Sequence, residues 1–137
     1  METRIHQATE RHKKGYNCAQ AVACTYSDRF GMSEVPMFRM IEGFGAGMGN
    51  MKGVCGAVSG AIALAGLKQS CGDLENPNTK ATTYKLSKQI MEKFEERCGS
   101  VICETLKGVR TGKPLCSCPD CILEGARLVE EVLLEEK

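Results

Sequence analysis

Between Lys52 and Lys68 the chain carries no charge for fifteen residues, Gly53 to Leu67, and most of these are small. A run of that length falls short of a membrane span and suits a helix buried on all sides. Glycine or alanine recurs at intervals of four: Gly56 and Gly60 form one row, Ala57, Ala61 and Ala65 the next. Residues four apart share a helix face, so such rows let neighbouring backbones approach closely. Val54, Val58 and Ile62 add an apolar ridge beside them. The pattern predicts the central helix of a small helical domain, with Cys55 in its first turn.

That position favours thiolate chemistry, because the first N–H groups of a helix lack intrahelical acceptors and the dipole is positive there. The approach to Cys55 is rich in glycine, with Gly43, Gly45, Gly47, Gly49 and Gly53 before it and Gly56 after it. Glycines permit unusual backbone angles and bring amides close to a sulfur, a cluster or an anion. A flexible loop ending in a core cysteine is the plainer alternative. A phosphate loop does not fit: the Gly-Lys-Ser/Thr ending is missing and no strand precedes the glycines.

The 137 residues make one domain, 1–137, long enough to bury a core without staples. A formal net charge of +1, with acids and bases interspersed, gives no basic face for nucleic acid and no polybasic membrane patch. The start, METRIHQATERHKK, is polar and unlike a signal or transit peptide, so a cytoplasmic protein is expected. Nine cysteines stand out, at 18, 24, 55, 71, 98, 103, 116, 118 and 121. An odd number in a reducing compartment points to metal, cluster or thiol redox chemistry rather than a disulfide framework. His6 and His12 read as surface residues.

Elsewhere the spacing predicts an all-α bundle of about six to seven helices. A polar helix runs from Thr3 to about Lys14, and a second, capped by Asn17, from Cys18 to about Phe30. Ser33 caps a third, on which Met37, Met40, Ile41 and Phe44 read as core filler. A fifth spans about Lys80 to Arg97, with Tyr84, Ile90, Met91 and Phe94 as its stripe. Ser100 caps a short sixth through Lys107, carrying Cys103. Pro119 fits the first position of a last helix, which makes Cys118 its N-cap. Cys24 reads as a packing residue and Cys71 as a semi-exposed bystander.

Cys18, Cys55, Cys103 and one of Cys116, Cys118 and Cys121 therefore stand at helix starts, which suggests amino ends converging on one sulfur-rich site. In that light the chain resembles the redox-active family named for its signature C_GCAxxG_C_C. The matching residues are Asn17-Cys18-Ala19-Gln20, then Gly43-Phe44-Gly45 through Gly47-Met48-Gly49 to Cys55-Gly56-Ala57-Val58-Ser59-Gly60, then Gly99-Ser100 with Cys103, and a last cysteine before the amphipathic C-terminal helix. The resemblance implies a small helical domain with four signature cysteines, Cys18, Cys55, Cys103 and Cys118, and a redox role, and it leaves Cys24, Cys71 and Cys98 outside the pattern as bystanders. A similar domain accompanies split-Soret cytochromes, which carry an iron–sulfur centre beside their haems. No Cys-x-x-Cys-His occurs, so covalent haem attachment is not expected.

The leading expectation is an electron carrier or oxidoreductase with an iron–sulfur cluster on Cys18, Cys55, Cys103 and a cysteine of the 116–121 group. Gly45, Gly47, Gly49 and Gly53 would supply amides that tune it. Two alternatives stay open. One is metal-free thiol–disulfide exchange by Cys55 with Cys18 or the Cys118/Cys121 pair. The other is a zinc-stabilised module in which Cys116, Cys118 and Cys121 join Cys103. The redox partner is unspecified, and the small-residue rows of the central helix would suit a homodimer interface as well as internal packing.

Overall fold

The computed structural model describes residues 2–135. Its first helix, α1 (Ile5–Lys13), ends before Gly15, whose φ of 115° favours glycine. Asn17 then opens α2 (Cys18–Tyr26) with a reciprocal cap. Gln20 N donates to Asn17 Oδ1 and Asn17 N donates to Gln20 Oε1, each at 2.9 Å. Such a cap is worth about 1 kcal/mol. The same two side chains reach outward: Asn17 Nδ2 donates to Glu42 O at 2.8 Å and Gln20 Nε2 to Phe38 O at 3.1 Å. They tie α3 (Glu34–Ile41) and the turn behind it to the start of α2.

The uncharged run becomes α4 (Gly56–Gln69), the central helix, which packs against α2, against α5 (Lys80–Cys98) and against α7 (Cys118–Leu128). Its small residues are taken up inside the chain. A Cβ at Gly60 would stand 2.7 Å from Ala19 O on α2, and one at Gly125 on α7 would stand 2.9 Å from Ala57 O. Around this close contact Val22, Val58, Leu64, Ile90, Phe94, Leu106 and Ile122 are fully buried. A five-residue helix, α6 (Cys103–Lys107), precedes α7, which continues into a π-turn at Val129–Leu134. These seven helices form an all-α single domain. Among the described residues none of the helices is long and apolar enough to cross a membrane.

Five expectations shift. Met40 and Phe44 are exposed: on the eight-residue α3 only Met37 and Ile41 are buried, and Phe44 lies in the 3-10 turn after it. Tyr84 is 63% exposed, since α5 enters the core in its second half, at Ile90 and Phe94. Ser100 does not cap α6: it takes the Ile102 N–H at 3.0 Å, and Ile102 holds the cap position. Ser117, not Cys118, caps α7, accepting from Asp120 N at 3.2 Å, so Cys118 is the first helical residue and Pro119 the second. The helix from Cys18 also narrows to a 3-10 turn at Ser27–Phe30.

Candidate redox site

The site grows from two backbone devices. The first is an isolated antiparallel bridge between Val54 and Ile102. Cys55 N donates to Val101 O at 2.7 Å and Cys103 N to Gly53 O at 3.0 Å, so the bridge sets Cys55 and Cys103 side by side although they are far apart in the chain. The second is a left-handed turn: Ala46, Gly47, Met48 and Gly49 have φ of 51°, 56°, 68° and 84°. Non-glycine residues pay about 1–2 kcal/mol each for that conformation, and such strain gathers at functional sites. The turn lets Gly47 lie against Cys103, where an added Cβ would meet the Cys103 Cβ at 2.4 Å. Glycine is the one residue that fits there.

α2 brings the next sulfur. A Cβ on Gly56 would be 2.8 Å from Ala19 N and 3.1 Å from Cys18 Cβ, so the start of α4 rests directly on the start of α2. Cys18 is the first residue of α2, Cys55 the cap of α4, Cys103 the first residue of α6 and Cys118 the first of α7. Cys18 and Cys103 each feel the charges of Cys55 and Cys118, and Cys18 also makes a hydrogen-bonding contact with Cys118. Cys121, one turn into α7, lies against Cys55.

Lys107 is the cation of the group. Its Nζ donates to Cys116 O at 3.2 Å and lies 3.5 Å from Cys121 Sγ. Burial would depress its pKa. Its charge interactions with Cys121, Cys118 and Cys55 and a hydrogen bond with Cys118 outweigh that and hold the ammonium above its usual value. Among the sulfurs, Cys55 is the one favoured as thiolate. The Cys121 thiol donates to it, and although burial opposes the charge, the Ala57 and Val58 N–H groups and Lys107 support it. Burial pushes the Cys18 thiol up to about 12, with the Cys55 and Cys118 charges adding to the effect. Cys103 is raised chiefly by burial, and Cys121 by its bond to Cys55 and then by burial. Cys55, favoured as thiolate, thus sits near Cys18, Cys103 and Cys121, whose thiols are held protonated.

At three of the expected glycines the backbone N–H is bonded within the loop. Gly45 N donates to Glu42 O, Gly49 N to Gly45 O and Gly53 N to Gly47 O, so these donors are spent within the loop. The amides that favour a sulfur are those of Ala57 and Val58. Gly45, Gly47 and Gly56 serve instead as points of close approach, to Asn17, Cys103 and Cys18 respectively. Of the expected bystanders, Cys24 is buried and Cys71 exposed in the loop after α4, whereas Cys98 lies 3.8 Å from Cys116, sulfur to sulfur. Lys107 and Ala57 went unmarked by the sequence, since neither residue type signals a sulfur site. Among the described residues, no three His, Cys, Asp or Glu side chains are grouped as a single-ion site.

Fold and site together define a small all-α protein whose cysteines stand where several helices begin. The chain belongs to the family described as "Putative redox-active protein (C_GCAxxG_C_C)", whose model matches residues 16–132. No curated protein and no solved structure matches it.

Proposed function

We propose that this member of a redox-active family transfers single electrons through an iron–sulfur cluster held by Cys18, Cys55, Cys103 and Cys118. What supports the reading is that Cys18, Cys55, Cys103 and Cys118 stand at the starts of four separate helices, and that the Val54–Ile102 bridge sets Cys55 and Cys103 side by side. The donor set suits such a group, since clusters are commonly ligated by four cysteine thiolates. When bound, the cluster supplies reversible one-electron chemistry. The chain's own residues prepare the charge. Several thiolates in a buried pocket repel one another, and Lys107 offsets part of that cost through its contacts with Cys118, Cys121 and Cys55. Cys55 and Cys103 are buried, so bulk water is kept from two of the four sulfurs. The Val54–Ile102 bridge and the Gly47 contact fix the spacing of those two, which limits reorganisation when charge changes.

Anaerobic purification followed by iron, sulfide and zinc analysis tests the reading. The expected result is a brown protein with iron and acid-labile sulfide, both lost in air. Colourless protein holding zinc would overturn it in favour of a structural module.

A second reading is favoured by the pairing of Cys55 with Cys121: a stabilised thiolate beside a protonated thiol is the arrangement of a dithiol/disulfide couple. Metal-free protein in which Cys55 and Cys121 oxidise and reduce reversibly would select it. In either case the redox partner would meet the surface around α2, α6 and the start of α7.

A further inference from the structure

Cys98 and Cys116 belong to neither arrangement above. Cys98 is the last residue of α5, and Cys116 lies two residues before the first residue of α7. Their sulfurs are 3.8 Å apart, and both side chains are half-buried. We propose that Cys98 and Cys116 form a reversible disulfide, a second thiol redox site beside the four-cysteine one.

The backbones on both sides are fixed. Gly99 N donates to Glu95 O at 2.8 Å and closes α5 just beyond Cys98. Leu115 N and Cys116 N both donate to Leu106 O, at 2.8 and 3.2 Å, and Lys107 Nζ holds Cys116 O at 3.2 Å. A Cβ at Gly99 would stand 3.1 Å from Leu115 Cδ1, so the two segments are packed as well as tethered. A disulfide needs sulfurs about 2.05 Å apart. Closing the remaining gap takes side-chain rotation, with no rearrangement of helices. The nearest competitor is Cys121, whose thiol reaches Cys116 O at 3.8 Å and also bonds Cys55, but it is fully buried. Half-buried sulfurs at the surface are the ones that a small-molecule disulfide reaches.

The oxidant is a low-molecular-weight disulfide, RSSR. One thiol of the pair loses its proton and attacks RSSR, forming a mixed disulfide and releasing one RSH. The other loses its proton and displaces the second RSH as the protein disulfide closes. Two protein thiols and one RSSR give one protein disulfide and two RSH, with two electrons passing to the small molecule. The bond ties the end of α5 to the segment that leads into Cys118, and so stiffens one wall of the four-cysteine site.

The test is thiol mapping of the full chain in mixtures of oxidised and reduced glutathione. Free thiols are blocked with N-ethylmaleimide before digestion and mass spectrometry. The expected product is a cross-linked pair of peptides carrying Cys98 and Cys116, two hydrogens lighter than the reduced pair and restored by dithiothreitol. Its Tm should exceed that of the reduced chain by roughly 5–10 °C. Cys98→Ser should abolish both the cross-link and the Tm difference. Cys116 joined to Cys118 or Cys121 in the unaltered chain, glutathione adducts without a cross-link, or both thiols fully blocked by maleimide at every ratio would each overturn the proposal. The map is read on the chain as isolated and again after chelation, so failure of the iron–sulfur reading leaves its outcome unchanged.

Discussion

The sulfur pocket and the ion-paired flanks of this molecule solve the problem of charge in opposite ways. On the flanks the carboxylates are matched by nearby cations. Arg4 pairs with Asp28 at 2.6 Å and Arg11 with Glu34 at 3.0 Å, while Arg97 bridges Glu124 at 2.7 Å and Glu131 at 2.9 Å. In the pocket Cys18, Cys55, Cys103, Cys118 and Cys121 all act on one ammonium, that of Lys107, or through one another. Flank pairs are settled whatever the state of the protein. The pocket is settled only when its negative charge is shared or its thiols stay protonated, so it is the region whose state changes can be felt. Changes there should alter redox behaviour, and changes on the flanks stability alone.

The sharpest way to break that contrast is Gly47→Ala. Its Cβ would meet Cys103 at 2.4 Å in a backbone already left-handed, so the cost should be about 2–4 kcal/mol. The expected outcome, read by urea midpoint and by iron content, is a chain both less stable and unable to hold iron. A flank counterpart is Glu124→Ala. It strips Arg97 and Arg127 of a largely buried partner and should cost about 1–2 kcal/mol, with iron content and redox potential unchanged. A shift in potential on Glu124→Ala would erase the distinction between the regions.

Lys107→Met sharpens the comparison from within the pocket. It keeps a long apolar side chain and removes the charge. The prediction is a reduction potential lower by roughly 50 mV, about 1 kcal/mol for one electron, with little change in urea midpoint. A large loss of stability with an unmoved potential would make Lys107 a packing residue.

The parts of this arrangement that were legible in the sequence are those encoded locally. Asn17 and Gln20 sit three apart before an apolar run, and the reciprocal cap is there. The uncharged run and its small-residue rows announce a buried helix that others approach closely, and Gly56 and Gly60 both rest on Ala19. What stayed hidden depends on contacts that have no period. The Val54–Ile102 bridge is a single pair, too short for alternation to mark it. Ala46, Met48 and Met51 adopt positive φ that their side chains disfavour, so propensity points away from the turn that seats Gly47. Lys107, in a five-residue helix, reads as a surface charge until α7 folds over it. Cys98 and Cys116, 18 residues apart across α6, share no motif, and only the tethering of both to fixed backbone makes them neighbours.

The smallest expected effect lies on the flank and concerns acid. Glu34 accepts from Arg11 Nε at 3.0 Å and from Tyr16 OH at 2.5 Å, and these two bonds hold its carboxyl below the ordinary 4.5. Asp28 is held below 3.8 by Arg4. A carboxyl with a depressed folded pKa contributes its stability above the unfolded value and loses it as pH falls through the folded one. Both are partly exposed, so each contribution should stay under about 1 kcal/mol. Stability should therefore decline below about pH 4.5, and Glu34→Gln should flatten that decline while leaving the pocket's redox potential at neutral pH unmoved. Urea midpoints between neutral and acid pH, with the potential measured on the same variant, decide it. An unchanged acid slope would mean that Glu34 is no more favoured as a carboxylate in the fold than in the open chain. A displaced potential would mean that charge on the α1–α3 flank reaches the sulfurs after all, and that the two regions are one electrostatic unit.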